Sequence, residues 1–229
     1  MAEMRREEGG LISALAGAIS APSMGVLVKI CGINSVEAAD AAVRAGADFA
    51  GLVFYRKSPR NLTLDQARSL AARMRGRTRL AALFVDASDE EIGAAVKAAE
   101  PDFVQLHGRE TPARTADIRA RFGVPVIKAF AVAEAPDLAG AANYDAEMLL
   151  FDAKGESPGG TGAAFDWQLL RGRNFSRPWL LAGGLNAENV ARAIEVSGAP
   201  GVDVSSGVET APGVKSPELI VEFAKEARA

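Results

Sequence analysis

From Val26 onward one alternation recurs about eight times: a short, largely apolar run, then a stretch with apolar residues at helical spacing. The apolar runs are Val26–Ile30, Phe49–Phe54, Arg79–Val85, Phe103–Leu106, Val124–Phe130, Met148–Phe151, Trp179–Ala182 and Gly201–Ser205. Helical spacing marks Val36–Ala45, Leu64–Met74, Ile92–Ala99, Ala113–Phe122, Ala187–Val196 and Leu219–Ala227. A strand with one wet face alternates apolar with polar residues, whereas a parallel strand covered on both faces is apolar throughout. Ser35 and Ser88 read as helix N-caps, and Gly46, Gly123 and Gly198 stand where helices should end. Eight such units in about 200 residues predict an α/β fold, a (β/α)8 TIM barrel in a single domain over residues 25–229. A doubly wound sheet would want fewer strands and a clearer glycine-rich first turn.

Residues 1–24 read as an N-terminal extension outside the barrel. Their apolar run Leu11–Ala21 follows Arg5 and Arg6 like a secretion signal, but Glu3, Glu7 and Glu8 spoil the positive first region. The 229 residues, 48% hydrophobic, suffice for one large core. A formal net charge of -3 gives no basic footprint for nucleic acid. One cysteine cannot form an internal disulfide, and one cysteine with one histidine cannot build the usual four-ligand zinc site. No run approaches the roughly 18 to 20 apolar residues of a membrane span. These features predict a cytoplasmic protein with no metal and no membrane partner, and leave monomer and homodimer both open.

The active site of such a barrel lies at the carboxyl ends of its strands. There the chain places Cys31-Gly32, the run Tyr55–Arg60, Gln105-Leu-His107-Gly108, Asp152, Gly183-Gly184-Leu-Asn186 and Asp203-Val-Ser205-Ser206-Gly207. The opposite ends carry ordinary turns. Glycine and serine in the loops after strands seven and eight suit a phosphate, held by backbone N–H groups and hydroxyls. Cys31 and Asp152 end strands one and six and so face each other across the mouth. A thiol there can act as general base and a carboxylic acid as general acid; a buried small hydrophobe and a turn cap are the blander readings. Arg60 can grip a carboxylate through two parallel hydrogen bonds or serve as part of a solvated basic loop. His107 reads as a structural histidine before a substrate ligand. Asp203 and Ser205 share side-chain parity, which turns both toward one side of the last strand, the lumen. The glycine-rich run Lys154–Gly162 has the make-up of a lid.

Seven segments taken together resemble the phosphoribosylanthranilate isomerase family of tryptophan biosynthesis. They are Lys29–Ile33, Phe54 through Ser58–Arg60, Val104–Gly108, Leu150–Asp152, Gly159–Gly162, Leu181–Asn186 and Val202–Glu209. The resemblance runs in order from about Val26 to the C-terminus. It implies an aldose–ketose isomerisation, an Amadori rearrangement, with no cofactor and a phosphorylated small molecule as substrate. It further implies Asp152 as general acid, Cys31 as general base, Arg60 on the substrate carboxylate, and Gly183, Gly184, Ser205, Ser206 and Gly207 around the phosphate, with Asp203 orienting substrate or loop. Other phosphate-binding barrels fit less well. An epimerase of this scaffold would want metal-binding histidines, a histidine-pathway isomerase an aspartate in place of Cys31, and an indoleglycerol-phosphate synthase a lysine acid, where Lys29 merely precedes Cys31. A catalytically dead phosphate-binding module would have lost Cys31 or Asp152.

Overall fold

The structure, a computed structural model, describes residues 25–155 and 165–229. The extension 1–24, and the proposed lid from residue 156 onward, lie outside the described residues. Eight parallel strands close on themselves: β1 (Leu27–Cys31), β2 (Phe49–Val53), β3 (Arg79–Phe84), β4 (Phe103–Leu106), β5 (Val126–Val132), β6 (Met148–Ala153), β7 (Trp179–Leu181) and β8 (Gly201–Val204). Leu27 to Ile30 of β1 pair with Gly201 to Val204 of β8 and complete the ring. Closure rules out the doubly wound alternative.

Among the described residues six α-helices wrap the ring: α1 (Val36–Arg44), α2 (Leu64–Met74), α3 (Asp89–Ala99), α4 (Pro112–Phe122), α5 (Val190–Ser197) and α6 (Pro217–Glu226). Their starts are set chemically. Ser35 accepts from the Ala38 N–H, and Thr63 with Gln66 and Ser88 with Glu91 form reciprocal capping boxes. No helix among the described residues is long and apolar enough to cross a membrane.

Two expectations need correction. Only six of the eight crossovers carry an α-helix among the described residues. Between β5 and β6 the chain makes two 3-10 turns, Ala135–Leu138 and Ala141–Asn143. Pro136 removes a donor there, and Asp137 takes the Ala133 and Glu134 N–H groups at 2.8 and 3.1 Å, a local bonding that competes with a helix. Strand β5 begins at Val126 rather than Val124, because Pro125 has no N–H for the ladder. The crossover after β8 also adds an unforeseen hairpin, β9 (Glu209–Ala211) with β10 (Val214–Lys215).

Alternation along each strand sorts the side chains into two cores. Val28 and Ile30 of β1 join the outer core under the helices, while Lys29 and Cys31 turn into the lumen. The lumen floor is apolar, with Phe49 and Phe103 in edge contact at 5.7 Å and Ile127, Met148 and Leu180 beside them. Toward the carboxyl ends the lumen turns polar: Lys29, Gln105 and Asp203 are buried there, with Cys31 and Asp152 at the mouth.

Candidate active site

The cleft at the carboxyl ends of the strands is lined by Cys31, Arg60, His107, Asp152, Gly183, Gly184, Asp203, Ser205 and Ser206, with Tyr55, Ser58 and Leu185 among others. Nine of the ten residues singled out from sequence therefore meet in one cavity. Gly207 is the exception; it does not line the cleft and lies against the Leu185 carbonyl, joining the loops after β7 and β8.

Cys31 is 5% exposed and shares the lumen face of β1 with Lys29, which is fully buried. Lys29 Nζ donates to Asp203 Oδ1 at 2.8 Å across the β1–β8 seam, where the two residues are Cα partners. The thiol and the ammonium crowd over Gly51 of β2. A Cβ there would stand 2.9 Å from Cys31 Sγ and 3.3 Å from Lys29 Nζ, so only glycine leaves the room. Burial by itself would favour the neutral amine, but the Asp203 carboxylate and then the Cys31 thiol more than offset it and raise the Lys29 pKa. Burial pushes the Cys31 thiol above its ordinary value, with Lys29 the main opposing influence. Gly32 follows at φ 80°, and the Arg60 stem lies over it: a Cβ would meet Arg60 Cδ at 2.5 Å.

Asp152 enters from the end of β6, 8% exposed. Its Oδ1 accepts the Ala153 N–H at 2.9 Å, and its Oδ2 lies 3.0 Å from His107 Nε2. His107 Nδ1 in turn lies 3.0 Å from Gln105 Nε2, two residues back on β4. His107 is thus bound to the acidic side chain, a role between the structural and substrate-binding readings. A second buried pair braces its loop. Lys128 of β5 donates to the Leu106 and Gly108 carbonyls at 3.2 and 2.9 Å and to Glu110 Oε2 at 2.8 Å. Glu110 also takes the N–H groups of Asp86 and Gly108.

Arg60 is already held by a carboxylate of the protein. Its Nε and Nη2 donate to Glu209 at 2.6 and 2.7 Å, a bidentate pair that leaves Nη1 for anything further. Glu209 belongs to the β9–β10 hairpin and also accepts from Lys215 Nζ at 2.7 Å and the Gly213 N–H at 3.1 Å. Lys215 reaches on to the Ser205 carbonyl at 2.9 Å, and Ser205 Oγ donates to the Cys31 carbonyl at 3.2 Å. The hairpin therefore ties the Arg60 loop to the loop after β8. In the neighbouring loop after β7, Gly183 and Gly184 take φ of 90° and 64°, a turn open to glycine and few other residues.

Lys29, Gln105, Glu110, Lys128, Glu209 and Lys215 received no role from the sequence. A lysine inside an apolar strand, two residues before the cysteine and so on its face, was the available signal for Lys29. For Gln105 the signal was its place two residues before His107, on the same side of the chain; Glu110, Lys128, Glu209 and Lys215 pair across strands or loops whose register only the fold defines.

A closed (β/α)8 barrel with a thiol, a carboxyl group and glycine-serine loops converging at its carboxyl-terminal mouth has the architecture of a barrel enzyme. A family model described as N-(5'phosphoribosyl)anthranilate (PRA) isomerase matches residues 28–226. An N-(5'-phosphoribosyl)anthranilate isomerase of Rhodopseudomonas palustris (strain BisA53) is 50% identical over 208 residues, covering 88% of this chain and 95% of its own length. The crystal structure of phosphoribosyl anthranilate isomerase from Thermotoga maritima superposes with a TM-score of 0.80 at 40% identity, over 88% of this chain and 98% of that one. A phosphoribosyl anthranilate isomerase in complex with reduced 1-(o-carboxyphenylamino)-1-deoxyribulose 5-phosphate superposes with a TM-score of 0.77 at 38% identity, with the same coverages. The chain belongs to the N-(5'-phosphoribosyl)anthranilate isomerase family.

Proposed function

We propose that this chain catalyses the Amadori rearrangement of N-(5-phosphoribosyl)anthranilate to 1-(2-carboxyphenylamino)-1-deoxyribulose 5-phosphate, a cytoplasmic step of tryptophan biosynthesis, with Asp152 as general acid and Cys31 as general base. The observation that carries the assignment of roles is the shared cleft: both groups, from strands three apart around the ring, line one cavity with Arg60 and the loops after β7 and β8.

Asp152 gives its proton to the furanose ring oxygen as the bond from that oxygen to C1 breaks. The anthranilate nitrogen supplies the electron pair that forms C1=N, leaving an iminium cation. Cys31, as thiolate, removes the proton from C2; the released pair forms C1=C2 and neutralises the nitrogen, giving an enolamine. Ketonisation then puts a proton on C1 and releases one from the C2 hydroxyl, so acid and base are both restored. The oxidation at C2 is matched by the reduction at C1, and no co-reactant is consumed.

The surroundings suit those steps. Burial disfavours a standing thiolate at Cys31, and the Lys29 ammonium beside it works in the opposite direction. The iminium formed in the first step adds a second positive charge just when the thiolate is needed. Arg60, braced by Glu209, offers Nη1 to the anthranilate carboxylate. Gly183, Gly184, Ser205 and Ser206 supply backbone N–H groups for the phosphate and Ser206 a hydroxyl, with Gly207 behind them, and the Lys29 pair fixes Asp203 in the lumen. The test is direct: freshly generated phosphoribosylanthranilate is mixed with the purified protein and its fluorescence followed. Rapid loss of signal is expected. An inert protein that still binds a phosphate analogue would refute the substrate assignment.

A further inference from the structure

The buried amide of Gln105 has no part in the steps above, yet it ends a chain of hydrogen bonds that begins at the acid. Gln105 Nε2 is 3.0 Å from His107 Nδ1, and His107 Nε2 is 3.0 Å from Asp152 Oδ2. Gln105 is fully buried, and its Oε1 has no hydrogen-bond partner among the described residues. An amide nitrogen is a donor only, so the ring nitrogen facing it must accept. With Nδ1 bare, a neutral imidazole carries its proton on Nε2 and donates it to Asp152. The reversed amide would face Nδ1 with its oxygen and take that N–H. The bare Nε2 would then receive the proton of the acid. Reversal would leave both N–H groups of the amide without a partner, where the present orientation leaves one N–H and the oxygen.

We propose that Gln105 is a positioning residue: its amide N–H holds His107 as the Nε2–H tautomer, so that the histidine donates to Asp152 and the acid's own proton stays free for the ring oxygen of the substrate. The inference rests on the reading of Asp152 as general acid. Asp152 Oδ1 already accepts the Ala153 N–H, so both carboxyl oxygens are engaged as acceptors and the acid proton is not committed to the protein.

His107 is the only histidine in the chain, so a two-bond 1H–15N spectrum of histidine-labelled protein without a histidine tag reports this one ring. The expected wild-type pattern is a protonated Nε2 and a bare Nδ1. Gln105→Met, of similar length but with no amide, should let the Nδ1–H form appear and lower kcat about tenfold while KM stays within about twofold. A wild-type ring protonated at Nδ1 would overturn the proposal, as would a Gln105→Met enzyme that keeps both the tautomer and kcat. If Gln105→Met does not fold, the wild-type spectrum decides alone. Asp152→Asn separates the two readings: retained turnover there refutes the general acid, whereas lost turnover with a Gln105-independent tautomer refutes only the role of Gln105.

Discussion

A thiol in a barrel lumen is under two opposed influences. At Cys31 burial is the larger and favours the protonated form, while the neighbouring Lys29 ammonium favours the thiolate. The net shift is upward from an ordinary value of 9.0. A raised pKa means less thiolate at pH 7 than a free cysteine carries, and a reactivity that keeps climbing where a free thiol levels off. Because Cys31 is the only cysteine, alkylation by iodoacetamide reads this group alone. The rate in the free enzyme is expected to level off at a higher pH than that of free cysteine; levelling off at the same pH or lower would show that Lys29 outweighs burial. The cysteine itself was legible in the sequence as a lone thiol at a strand end. Lys29 was legible only as an oddity, since its partner Asp203 lies on the last strand and meets it through the register of closure.

At the scale of elements, Asp152 is held by its neighbours as much as by β6. The loop after β4 carries His107, and the buried Lys128–Glu110 pair fastens that loop to β5. Removing one partner of a buried pair strands the other charge, at a cost of about 3 to 5 kcal/mol. Glu110→Gln is therefore expected to destabilise the protein by about 3 kcal/mol in urea titrations. A change below about 1 kcal/mol would show the three carbonyl and carboxylate contacts of Lys128 to be separable from stability. Motifs at the strand ends could be read because parallel strands buried on both faces are largely apolar, so that most of their polar residues gather at the tips. Apolar spacing marks no helix between β5 and β6, and the 3-10 turns there are set locally, by Pro136 and the Asp137 side chain. The β9–β10 hairpin, whose Glu209 holds Arg60, lacks any periodic signal: one strand is three residues long and the other two.

For the whole molecule, ring closure is what brings distant residues into one site. Strands β1 and β8 meet at the seam, and Arg228 just beyond α6 bonds the Ala45 and Gly46 carbonyls and Asp48 beside it. Helix α6 buries Ile220 and Phe223 completely in the outer core. Phe223→Ala should therefore cost about 3 to 5 kcal/mol and lower a single cooperative transition, seen alike by circular dichroism and tryptophan fluorescence. Two separate transitions would mean that the seam unfolds apart from the rest. The same closure places Cys31 and Asp152, far apart in the chain, in one cleft. The most direct test compares kcat for wild type, Cys31→Ser and Asp152→Asn on phosphoribosylanthranilate, with folding of each checked by circular dichroism. Each folded variant is expected to lose about 100-fold or more, the scale of a missing general base or acid. Either variant turning over within about tenfold of wild type would contradict the assignment of acid and base.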